Sequence, residues 1–230
     1  MKNNSLGVVV AALALCVACG TSARTPAVTA ARTLPFYDSA DFTPKWHVSN
    51  ASTFHQIRPF RLLDQDNAAF TERDLAGRIA VVDFFFTTCP GICPTMAVSM
   101  RALQREFLDD DRVILLSHSV TPETDTVEVL QQYATDHDVN AAKWKLLTGA
   151  KSEIYDLGRR FYFVDEDLGA ARTEDDFLHT ENFVLIDADR RIRGIYNGLD
   201  PDSMRALAAD IRLLEDEQPA RKGGFHGITS

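Results

Sequence analysis

The sequence predicts an α/β sandwich, a central mixed sheet flanked by helices. Three observations predict it. Between residues 54 and 217, short apolar runs of strand length recur, rich in Val, Ile, Leu and Phe. Segments with helical apolar spacing separate the first of these runs, which is the order of strand–helix–strand crossovers. Two later runs, residues 183–187 and 191–196, are joined by Asp187-Ala188-Asp189-Arg190, a hairpin signal that adds an antiparallel pair.

The elements follow in order. Residues 57–64 form a strand candidate that ends in the polar turn Asp64-Gln65-Asp66-Asn67. Residues 71–75 have the form of a capped helical turn, with Thr71 followed by Asp74. Residues 78–86 make up the most hydrophobic strand of the chain. Residues 94–108 form a helix with Met96, Met100, Leu103 and Phe107 at helical spacing. Both methionines are core residues on that spacing, not thioether ligands. Residues 112–117 are a second buried strand, and residues 122–137 a helix with Thr121 as its N-cap. A short strand at 144–148 precedes a helix at 151–161. After the hairpin, residues 200–217 form the last helix, with Pro201 at its first position.

A chain of 230 residues has room for one good-sized domain and extensions. Its net charge of −9 argues against nucleic acid, which rewards Lys and Arg surfaces. Residues 1–18 have the form of an export signal, a short positive start followed by an apolar run at 6–17 that is too short to span a membrane comfortably. The run ends in Cys16-Val17-Ala18-Cys19-Gly20. This resembles a bacterial lipobox, with Cys16 where leucine is usual. The resemblance implies cleavage before Cys19, lipidation of Cys19, and a protein held on the extracytoplasmic face of a bacterial membrane without spanning it. Residues 19–53 are then a membrane tether, 54–217 the folded domain, and 218–230 a terminal tail carrying Gly223-Gly224. The aromatic spots Phe36-Tyr37 and Trp46-His47 interrupt the tether.

The chemistry concentrates at Cys89-Pro90-Gly91-Ile92-Cys93. A buried strand runs directly into this turn, and the turn opens a helix. Both sulfurs are thus delivered to a helix N-terminus, where thiolate is favoured. No other cysteine lies in the domain, so a disulfide framework is excluded. The pair either exchanges disulfides or holds a thiophilic metal. For a soft ion such as Cu(I), one imidazole would complete a trigonal set. His179, directly before the run 180–187, is the leading histidine, and His118, after a central strand, is its rival. His137 sits near a helix C-terminus, where a cation is favourable in any case. His47, His55 and His226 lie toward the extensions. Asp83, inside the Phe-rich strand, is a candidate buried acid that tunes the cysteines. The acidic residues Asp165-Glu166-Asp167 and Glu174-Asp175-Asp176 form a solvated loop ahead of His179.

The element order resembles the thioredoxin layout, with the cysteine pair where that fold carries its active site. Residues 86–96, 119–126, 144–149 and 179–187 together resemble the Sco/SenC family of copper proteins over about residues 54–215. The resemblance implies a thioredoxin-like sandwich that binds one copper ion, Cu(I) or Cu(II), through Cys89, Cys93 and His179. It also implies a role in assembling the dinuclear copper centre of cytochrome c oxidase. The partner would be a copper-accepting oxidase subunit or another copper chaperone. Thr121 departs from the pattern, since many members carry Asp there, a carboxylate suited to orient the site. His118 and Asp125 are the nearby groups that could compensate. A metallochaperone is the leading class. An enzyme, a thiol–disulfide oxidoreductase in which Cys89 attacks and Cys93 resolves, is the alternative.

Overall fold

A computed structural model describes residues 33–48, 53–164 and 180–217. The lipobox cysteines, His179, the acidic loop and the tail lie outside these residues. A five-stranded sheet is ordered β5-β4-β3-β6-β7, with β3 (Ile79–Phe85), β4 (Val113–Ser119), β5 (Trp144–Leu147), β6 (Asn182–Ile186) and β7 (Ile192–Asn197). The pairs β3–β4 and β4–β5 are parallel, while β3–β6 and β6–β7 are antiparallel. The predicted mixed sheet and its closing hairpin are therefore both present. A separate small hairpin, β1 (Arg61–Leu63) with β2 (Ala69–Thr71), replaces the longer strand expected at 57–64. Asp64 explains why that strand stops. Its carboxylate accepts from the N–H groups of Asp66 and Ala68 and draws the chain into a turn.

Strand alternation sorts the core into two layers. On one face Ile79, Val81 and Phe85 of β3 join Val113 and Leu115 of β4 and pack under α1 (Cys93–Glu106), α2 (Val127–Asp136) and α4 (Pro201–Glu217). Met96 and Met100 are buried there, as their spacing predicts. On the other face Ala80, Val82 and Phe84 join Ile114 and Leu116 under the β1–β2 hairpin and α3 (Lys151–Asp156). The helix expected at 151–161 widens after Asp156 into a π-helical turn, Leu157–Phe161, closed by Tyr162 N–H donating to Leu157 O at 2.9 Å.

The capped turn at Thr71 is present. Thr71 accepts from Arg73 N–H, and Asp74 returns a bond to Thr71 N–H at 2.7 Å. The second helix begins later than the sequence suggests. Thr121 O accepts from the N–H groups of Thr124 and Asp125, which closes a tight turn. Thr126, in extended conformation, is the N-cap that accepts from Val129 N–H. The reason lies in tertiary contacts. Asp125 is held at the end of this turn by the hydroxyls of Thr87, 38 positions earlier, and of its near neighbours Ser119 and Thr121, and the helix starts beyond it.

The described part of the expected tether, residues 33–48, packs against the sheet edge. Tyr37 N–H donates to Ile192 O of β7 at 3.1 Å, and Phe36 and Lys45 exchange backbone bonds. Arg193 holds this strap. The residue is 3% exposed, donates to Leu34 O and Pro35 O, pairs with Glu217 at 2.7 Å, and lies 4.0 Å over the Phe36 ring. The strap covers the β7 edge, whose unpaired backbone groups would otherwise be open to another chain.

Candidate functional site

The site is built where β3 ends. The parallel β3–β4 register places Phe85 beside Ser119, so the loops after both strands emerge together. The β3 chain turns at Cys89, whose N–H donates to Phe86 O at 3.3 Å, and α1 starts at Cys93. Pro94 suits this start, because the first helical turn has no intrahelical use for its N–H. Cys89 is half-buried, Cys93 is buried, and both are free thiols. The fold brings the pair together as the spacing predicts. The Cys93 thiol and the backbone N–H groups of Cys93, Gly91 and Ile92 are the groups that favour a Cys89 thiolate.

The two sulfurs differ in acidity. Burial pushes Cys89 upward, but the hydrogen bonds from the Cys93 thiol and the three N–H groups outweigh it and hold Cys89 below its ordinary value. Burial drives Cys93 well up, and its bond to Cys89 and the negative charges of Cys89 and Asp83 add to the rise. No cationic side chain is among the leading influences on either sulfur.

Asp83 stands on the cysteine side of the sheet, in alternation with Val81 and Phe85. Its register partner Ser117 donates to its carboxylate, and Trp144 Nε1 donates to Ser117 Oγ at 2.8 Å. Burial raises the Asp83 carboxyl to about 7, against the lowering effect of the Ser117 bond. The phenol of Tyr133, on α2, is pushed up by burial and by the charges of Asp83, Cys93, Asp125 and Cys89. Four acidic groups thus converge on one buried ring.

Asp125 is a site residue whose role the sequence conceals. It is fully buried and accepts from Thr87 Oγ1 at 2.6 Å, Ser119 Oγ at 2.6 Å and Thr121 Oγ1 at 3.1 Å. Thr87 N–H also faces both of its oxygens at 3.4 and 3.3 Å. The departure at Thr121 thereby has a local role, since its hydroxyl donates where an aspartate would set two carboxylates together.

His118 is not placed to assist the cysteines. It lies within β4, not after it, and its side chain is on the opposite face of the sheet, against Phe84, Phe60 and Tyr162. Strand alternation decides this, because Ser117 takes the cysteine face and His118 must take the other. Among the described residues no group of three or more His, Cys, Asp or Glu side chains is arranged to hold a metal. Cys89 and Cys93 are the two thiol-bearing side chains at this end of the sheet among the described residues. Two thiols close together, one buried and one partly exposed, with the buried acid Asp83 nearby, have the chemistry that suits a soft monovalent ion.

A five-stranded mixed sheet with a dithiol at the start of its first long helix defines a thioredoxin-like dithiol domain. The SCO1/SenC family matches residues 49–214, and the chain belongs to that family. The chain is similar to solved structures, among them the following three. A SCO1/SenC family lipoprotein from Bacillus anthracis is 27% identical, with 70% of this chain and 95% of that one covered at a TM-score of 0.61. BsSco, described as a member of the Sco family of cytochrome c oxidase assembly proteins with a disulfide switch, is 26% identical, with 70% and 94% covered at a TM-score of 0.59. Copper-bound ScoI of Bradyrhizobium japonicum is 27% identical, with 67% and 96% covered at a TM-score of 0.54. Homologues in the family therefore bind copper. Among the described residues no helix is long and apolar enough to cross a membrane.

Proposed function

We propose that this protein is a lipid-anchored copper chaperone that carries one copper ion as cargo on Cys89, Cys93 and His179. In this reading it serves assembly of the dinuclear copper centre of cytochrome c oxidase. The observation that carries the proposal is the acidity pattern of the site. Burial, then the bond to Cys89, and then the charges of Cys89 and Asp83 push the Cys93 thiol up. A soft cation bound at both sulfurs supplies the missing positive charge and displaces the thiol proton, so the site favours metal over free thiolate. Chain topology supports His179 as the third ligand. The antiparallel pairing of Val82 with Val184 brings the start of β6 to the sheet end where β3 finishes, and His179 lies three residues before Asn182. Cys19, acylated after cleavage, is the anchor in this reading, and the oxidase subunit or another copper chaperone is the partner that exchanges copper through thiolates. The likeness to a family lipoprotein and to an oxidase assembly protein supports both assignments.

The asymmetry of the pair supports a second reading, a thiol–disulfide oxidoreductase. Cys89 is the more accessible sulfur and is held below its ordinary pKa, as an attacking thiol requires, while buried Cys93 is placed to resolve. Cu(I) titration against a chelating competitor separates the two, with the reduced protein compared with Cys89→Ala, Cys93→Ala and His179→Ala. One tight copper, weakened in all three variants, is expected. Wild-type affinity in Cys93→Ala would sink the chaperone reading. No tight copper, together with a readily cycled disulfide, would establish the oxidoreductase.

A further inference from the structure

We propose that Asp125 is a positioning residue for the Cys89 thiol, clamping the loop that carries Cys89 to the loop after β4. The inference rests on the reading of Cys89 and Cys93 as the working pair. Thr87 stands two residues before Cys89 and makes its short side-chain bond to Asp125 at 2.6 Å. Ser119 and Thr121 bond the same carboxylate from the other side, at 2.6 and 3.1 Å. Thr121 N–H in turn donates to Ser119 Oγ at 3.1 Å, so the second loop is braced before it meets Asp125.

The chemistry is unusual for a buried carboxylate. Asp125 is 0% exposed, and its hydrogen-bond partners among the described residues are three hydroxyls and one backbone N–H, with no lysine, arginine or histidine among them. A buried carboxylate is costly unless its oxygens are fully bonded, so the three hydroxyls are committed to it. The result is a rigid joint between two loops that leave adjacent parallel strands. Cys89 lies two residues after Thr87, so a clamp on Thr87 fixes the loop from which the Cys89 side chain departs toward the first turn of the helix. The clamp therefore acts through geometry and not through charge. An asparagine at 125 can still accept from Thr87, while its amide donates to the hydroxyls of Ser119 and Thr121, which are free to rotate.

The test measures Cu(I) affinity by chelator competition and the Cys89–Cys93 dithiol–disulfide equilibrium, on the full chain. Asp125→Ala is expected to weaken copper at least tenfold. It is also expected to shift the dithiol equilibrium about tenfold toward the disulfide, about 30 mV more negative, because the clamp holds the dithiol geometry. Thr87→Val, which removes one hydroxyl, is expected to lose at least threefold in affinity, and Asp125→Asn to restore most of the loss. Ile186→Ala, a core change on the far face of the sheet, serves as the control for lost stability and is expected to alter neither quantity. A folded Asp125→Ala protein with wild-type affinity and potential overturns the proposal. So does an asparagine as damaging as alanine, or an equal effect from Ile186→Ala. Should Asp125→Ala not fold, Thr87→Val decides, and unchanged values there overturn the proposal. If the wild type holds no tight copper, the chaperone reading falls while the dithiol equilibrium still judges Asp125.

Discussion

His118 of β4 stacks on Phe84 of β3, with ring centroids 5.0 Å apart and planes 22° from parallel. The two are register partners on the face of the sheet away from the cysteines. Neither ring nitrogen of this fully buried imidazole meets hydrogen-bond geometry with a partner among the described residues. Burial lowers its pKa from 6.5 to about 3. Between those values the unfolded chain binds a proton that the folded protein does not, so this residue makes stability fall as the pH drops from 6.5 toward 3. His118→Phe is expected to stabilise the fold by about 1–2 kcal/mol at neutral pH, by removing unbonded polar atoms, and by more at pH 5. Copper affinity should be unchanged. Denaturant titrations at the two pH values check the first expectation, and a lost copper site would contradict the second.

Asp83 carries the opposite sign. Its carboxyl is raised from 3.8 to about 7, so the folded protein keeps a proton that the unfolded chain has released. The contribution is most favourable on the acid side and is lost as the pH rises through 3.8 to 7. Asp83→Asn keeps an oxygen for the Ser117 hydroxyl and has no charge to bury. It should gain on the order of 1–3 kcal/mol at pH 8 relative to wild type and almost nothing at pH 4. Melting curves across that range test this, and a gain that does not depend on pH would contradict it.

Cys89 and Cys93 should react in sequence. Iodoacetamide is expected to modify Cys89 first at pH 7.5, because it is the more accessible sulfur and its thiolate is stabilised by three N–H groups and a thiol. Cys93, buried and held protonated, should lag by at least tenfold in rate. Mass mapping of partially labelled protein reads the order directly.

Arg193 clips the strap at residues 33–48 through Leu34, Pro35, Glu217 and the Phe36 ring. It also pairs with buried Asp187 at 3.4 Å. Arg193→Ala leaves those carboxylates without their cation and is expected to cost about 3–5 kcal/mol. Arg193→Lys should recover only part of this, since an ammonium cannot reproduce the fork across two carbonyls and two carboxylates. The same variants should expose the strap to proteolysis before the rest of the domain, which a time course of limited digestion would show.

Gly198 is needed where the chain turns from β7 to α4. An added Cβ would stand 2.6 Å from the Phe183 ring and 3.0 Å from Glu181 O, to which Gly198 N–H donates at 2.8 Å. Gly198→Ala should destabilise the fold by about 1–3 kcal/mol through overpacking. It should also loosen the start of β6, seen as faster amide exchange at Asn182 and Phe183.

The sequence alone determined the layered α/β architecture, because apolar periodicity and turn chemistry are local properties written in consecutive residues. It placed Cys89 and Cys93 at the join of a buried strand and a helix, and Met96 and Met100 in the core, for the same reason. Tertiary structure decided what depends on partners far away in the chain. Asp125 bonds Thr87, 38 positions earlier, and α2 starts at Val127 and not at Pro122. Strand alternation within a β4 longer than its apolar run sent His118 to the far face and left Ser117 to serve Asp83. The strap became part of the folded body because Arg193, 159 residues beyond Leu34, needed buried oxygens. Local pattern encodes which element forms. The faces, clamps and electrostatic neighbours that give a dithiol its chemistry exist only once the sheet has brought separate segments together.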